Sequence, residues 1–150
     1  MSGIGGIYNI CNDKVNLDLL VKMSNTIKHR APNVEEITLL NSKSANVLFQ
    51  GDSSQLSAGY SANLALIERR DNEKSNSCTG DKIWLTFDGK IYNYKDIRSE
   101  LSDKGYVFIT NDVSELIKHA YLEWGVECQK KFRGMWSFAL WDSREKQLFC

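Results

Sequence analysis

Between Met135 and Trp141 every side chain but that of Ser137 is apolar. A segment this short and this apolar has no polar face to turn toward water. It reads as a strand covered on both faces, which commits the chain to a layered fold. Gly3–Tyr8 reads as a second buried strand, and its glycines Gly3, Gly5 and Gly6 let backbones approach closely.

The rest of the chain alternates between two periods. Asn16 caps a helix with Leu20, Met23 and Ile27 on one face. Glu36–Leu40 and Ala45–Phe49 read as paired strands around Asn41-Ser42-Lys43-Ser44, and Gln55–Ile67 as strand-rich. Glu68–Lys82 is polar and reads as a mobile surface loop. Ile83, Leu85 and Phe87 alternate, after which Asn93 caps a helix closed by Gly105. The clearest helix starts at Asp112 with Glu115 in a capping-box spacing, carries Leu116, Ile117, Ala120, Tyr121 and Trp124 as one stripe, and ends at Gly125. The polar turn Asp142–Lys146 returns the chain into Gln147–Cys150. Hairpin-length links between strand pairs favour an α+β arrangement over a doubly wound sheet.

Length and composition narrow the function. The 150 residues support one domain, 1–150, and 19 basic residues balance 19 acidic ones with no basic tract, so neither nucleic acid nor an anionic membrane is indicated as a partner. No apolar run approaches the ~20 residues of a membrane span, and no signal-peptide pattern opens the chain. Cys11, Cys78, Cys128 and Cys150 lie far apart, which argues against a zinc site or any other metal and reads as reduced cytoplasmic thiols. The chain stops inside an apparent strand, so a longer parent protein is expected.

The amino terminus carries the chemistry. Removal of Met1 ahead of the small Ser2 leaves a hydroxyl beside a free α-amine. Such an amine titrates near ~7.7–8.0 and can serve as the hydroxyl's base. Three further stretches accompany it: His29-Arg30-Ala31-Pro32-Asn33, Phe87-Asp88-Gly89-Lys90-Ile91-Tyr92-Asn93, and Gly134-Met135-Trp136-Ser137-Phe138-Ala139-Leu140-Trp141-Asp142. In this order and spacing the chain resembles the class II glutamine amidotransferase domain of asparagine synthetases, an amino-terminal nucleophile hydrolase. There the pieces read Cys-Gly-Ile, His-Arg-Gly-Pro-Asp, Phe-Asn-Gly-Glu-Ile-Tyr-Asn and Gly-Met-Phe-Ala-Phe-Ala-Leu-Trp-Asp. The resemblance implies a four-layer αββα sandwich, two antiparallel sheets between helices, truncated at its C-terminal end.

It also implies which positions matter, and most have changed. The nucleophilic cysteine is Ser2, a poorer nucleophile at neutral pH. The oxyanion-hole asparagine is Asp88, which offers no donor, although Gly89 is kept. The carboxylate-binding arginine aligns with Asn63 and the glutamate after the oxyanion glycine with Lys90. The aspartate for the α-ammonium aligns with Val113. Asp88 and Lys90, two apart on a strand, point to the same side and either pair and fill the former pocket or are both solvated. His29 and Arg30 read as loop packing, and His119 as a solvated histidine.

The resulting expectation is a domain of an asparagine-synthetase-like protein that does not hydrolyse glutamine and serves as a scaffold for an ATP-dependent amide-forming domain. The alternative is a glutamine-hydrolysing domain carrying a Cys-to-Ser substitution. No cofactor is expected in the chain itself; ATP and magnesium belong to the following synthetase domain, the expected partner. Glutamine is a doubtful ligand, and a homodimer is left open.

Overall fold

The computed structural model describes residues 2–44, 46–71 and 82–150. Cys78 and most of the expected polar loop lie outside the described residues. The elements run β1 (Ser2–Tyr8), α1 (Leu17–Thr26), β2 (Val34–Asn41), β3 (Asn46–Gly51), β4 (Leu64–Arg70), β5 (Ile83–Ile91), α2 (Tyr94–Asp103), α3 (Val113–Trp124), β6 (Gly134–Asp142) and β7 (Gln147–Phe149). One antiparallel sheet has the order β1-β4-β2-β3, the other β5-β6-β7.

Three apolar clusters fix the layers. Leu20 of α1 packs on Ile37, Leu39, Ala65 and Ile67, the outer face of the first sheet. Ile97 and Leu101 of α2, with Leu116, Ile117 and Ala120 of α3, pack on Ile83, Leu85 and Leu140, the outer face of the second. Between the sheets lie Leu40, Leu64, Leu66, Trp84 and Trp141. This is the expected αββα sandwich.

Local chemistry explains the elements. The Asn16 side chain accepts from the Leu19 N–H, as an N-cap should. Asp112 caps α3 through the Ser114 N–H. Glu115 reaches past the cap instead, accepting from the Ile109 and Thr110 N–H groups and the Thr110 hydroxyl. Asn93 makes no side-chain cap; its amide joins the Lys131 carbonyl and the Arg133 N–H, tying α2 to the segment that enters β6.

Four expectations change. β1 is an edge strand, so among its residues only Gly3 is buried. β6 is covered on both faces only from Phe138 onward: Gly134, Met135 and Ser137 are exposed, Met135 at 73%. β4 starts at Leu64 and runs on through Glu68, Arg69 and Arg70, which the sequence assigned to a loop. Those charged residues are held by partners: Arg69 reaches Glu35 at 2.7 Å and the Ser24 carbonyl at 2.9 Å. His119 is half-buried rather than solvated, with its ring 5.1 Å from Tyr106 and 4.8 Å from Phe108.

Candidate functional site

Sheet register decides which side chains can meet. Ser2 stands directly opposite Arg70 in the β1–β4 ladder, and Glu68 lies two residues back on the same face. That face looks at the second sheet, because the Ser2 hydroxyl donates to Asp88 Oδ1 on β5 at 2.5 Å. Asp88 is held from its other side by Arg30, whose terminal nitrogen lies 3.0 Å from Oδ2. The Arg30 Nε–H also donates to the Ser2 carbonyl at 2.9 Å. One arginine from the loop after α1 thus binds the backbone of Ser2 and the side chain of Asp88 together.

Gly89 follows with φ +126°, a conformation that side-chain-bearing residues avoid. A Cβ there would lie 2.2 Å from the Met135 carbonyl oxygen, so the close β5–β6 approach requires glycine. Lys90 is exposed, and Asp88 is engaged by Ser2 and Arg30; the expected Asp88–Lys90 pair does not form.

Two aligned positions lie elsewhere. Asn63 precedes Leu64, which pairs with Tyr8 at the far end of β1. At ~3.4 Å per residue that is roughly 20 Å along the strand from Ser2. Its buried amide accepts from the Ser42 N–H at 2.8 Å and donates to the Ser42 hydroxyl at 2.7 Å, binding the β2–β3 turn. Val113, the first residue of α3, packs against the cluster on the outer face of the second sheet. Ser2, Asp88 and Gly89 are therefore together, with Lys90 at the margin, and Asn63 and Val113 are not with them.

Sequence reasoning missed three residues here. Arg30 lay within a recognised motif but was read as packing. Glu68 and Arg70 fell in the stretch read as a loop. Glu68 is buried and accepts from Arg70 Nε at 2.6 Å. Burial pushes its carboxyl up, helped by nearby Glu36, against the pull of Arg70. Burial works against the Arg70 charge, and Glu68 outweighs it.

Chemically, the Ser2 hydroxyl has a hydrogen-bond acceptor in the Asp88 carboxylate. No group of three or more metal-ligating side chains exists among the described residues. No described helix is long and apolar enough to cross a membrane.

Comparison with known proteins shows the family and the fold. A family model for a glutamine amidotransferase domain matches residues 1–150. Asparagine synthetase [glutamine-hydrolyzing] 1 of Bacillus subtilis is 26% identical over 152 aligned residues, covering 99% of this chain and 22% of the relative. Asparagine synthetase [glutamine-hydrolyzing] 3 of the same organism is 32% identical over 88 residues, 57% of this chain and 14% of the relative. The glutamine phosphoribosylpyrophosphate amidotransferase of B. subtilis superposes with a TM-score of 0.67 at 12% identity, covering 95% of this chain and 35% of that one. The chain thus spans less than a quarter of the length of these two synthetases.

Proposed function

The chain belongs to the glutamine amidotransferase domain family, and from that premise we propose that it no longer hydrolyses glutamine. It acts instead as a scaffold for an ATP- and magnesium-dependent amide-forming domain in a longer, asparagine-synthetase-like protein. The observation that carries this reading is the contact of Ser2 Oγ with Asp88, itself paired with Arg30. The Asp88 carboxylate opposes the negative charge that a tetrahedral intermediate would develop beside it. Loss of one oxyanion donor alone costs about 10²–10³ in rate.

Support for the longer parent comes from the relatives, which extend well beyond the matched segment. Scaffold duty predicts that the domain contributes packing rather than ammonia to amide formation.

One observation favours a second reading, a working hydrolase with an altered nucleophile: the Ser2 hydroxyl contacts Asp88, the residue that precedes Gly89. The test is glutamine hydrolysis by Ser2→Cys. No glutamate release from a folded variant supports the scaffold; saturable release supports the hydrolase.

A further inference from the structure

A groove on the helical side of the second sheet carries one charge of each sign that the chain leaves unused. It lies between α2 and the 3₁₀ helix Gly125–Lys131 and has a volume of about 510 Å³. Small-molecule sites span roughly 300–1,000 Å³. Asp96, Ile97 and Glu100 line one wall, and Trp124, Lys131 and Arg133 the other. Ser2, by contrast, meets Asp88 across the gap between the sheets.

The chain itself fixes the shape of the groove. The Asn93 amide donates to the Lys131 carbonyl and accepts from the Arg133 N–H, both at 2.9 Å, and so ties the two walls. The Lys131 ammonium reaches Glu100 at 2.5 Å and lies 4.4 Å from the centre of the Trp124 ring, which holds the indole from one side. Ile97, buried, and Trp124, half-buried, supply apolar surface.

The charges along the groove pair off unevenly. Lys130, Lys131 and Arg133 face Asp96, Glu100 and Glu127. Glu100 takes Lys131, and Glu127 takes Lys130. The Arg133 guanidinium and the Asp96 carboxylate enter no ion pair or side-chain hydrogen bond among the described residues. They are also near neighbours: Arg133 is bonded to Asn93 through its backbone, and Asp96 stands about one helical turn, ~5 Å, further along α2. A ligand bearing only an anion would set it against Asp96, and one bearing only a cation would set it against Arg133. A ligand with both charges on neighbouring atoms matches both.

We propose that this groove binds a free α-amino acid, its carboxylate on Arg133, its ammonium on Asp96 and an apolar side chain laid on Ile97 and Trp124. The planar guanidinium fork suits a carboxylate. The site stands whether or not Ser2 reacts.

The test is calorimetric titration of the protein with L-phenylalanine, L-alanine, 3-phenylpropionate and phenethylamine, each to tens of millimolar. L-Phenylalanine should saturate. Each of the other three lacks one of the three contacts and should bind about tenfold weaker or more. Arg133→Gln and Asp96→Asn change exposed side chains that hold nothing else in the fold, and each should weaken L-phenylalanine binding about tenfold. No saturation by L-phenylalanine overturns the proposal. So does binding of any of the other three compounds as tightly as L-phenylalanine, or an unchanged affinity in either variant.

Discussion

Asp88→Asn in a Ser2→Cys background separates a blocked site from a merely weak nucleophile. The substitution preserves shape and an acceptor for residue 2 while removing the negative charge and adding two N–H donors. Its cost to the fold is small. Arg30 is 49% exposed, so its pair with Asp88 contributes about 0.2–1 kcal/mol. Its benefit to catalysis is large if Asp88 is the obstacle: one oxyanion donor is worth about 10²–10³ in rate, roughly 2.7–4 kcal/mol of barrier. The assay is glutamate release from L-glutamine by the single and double variants, with amino-terminal processing confirmed by mass spectrometry. The double variant should exceed Ser2→Cys by about 10² or more. Equal rates in the two folded variants would refute the assignment of Asp88 as the obstacle.

Further expectations concern the frame that holds the site. Asn63→Ala should lower stability by about 1–3 kcal/mol in chemical denaturation, by orphaning buried groups of the β2–β3 turn, and leave any ligand affinity unchanged. Leu116→Ala, at a fully buried α3 position, should cost about 2–5 kcal/mol in the same measurement. Gly89→Ala should cost at least ~1–3 kcal/mol, since both its φ and the 2.2 Å approach to the Met135 carbonyl oppose a side chain. Burial works against ionised Glu35, but hydrogen bonds from Ser24 and Ser53 and the Arg69 charge hold it below its ordinary value of 4.5. Its contribution is therefore present above pH 4.5 and lost as pH falls through the lower folded value. Glu35→Gln should flatten that acid limb when melting temperature is followed against pH.

What the sequence disclosed was local. The stripe of α3 is visible because Leu116, Ile117, Ala120 and Tyr121 repeat at the helical period and are all buried. The β2–β3 pair and the Asn16 cap depend on residues close in the chain and were equally legible. What it concealed was non-local. Glu68, Arg69 and Arg70 look like a loop until the Ser24 carbonyl and Glu35, from other elements, hold Arg69 inside the fold and Glu68 pairs with Arg70. The cover on β6 depends on strand order, which no window of the sequence contains. The site divided in the same way. Ser2, Asp88 and Gly89 are recognisable by motif, whereas the role of Arg30 appears only when α1 carries it within 3.0 Å of Asp88.

The most direct measurement is L-glutamine turnover by the unsubstituted protein, folded and with its amino terminus verified, followed as glutamate and ammonia release. No release above a protein-free control is expected at any glutamine concentration. Saturable release of both products in equal amounts would contradict it, and would mean that Ser2 reacts despite the carboxylate it faces.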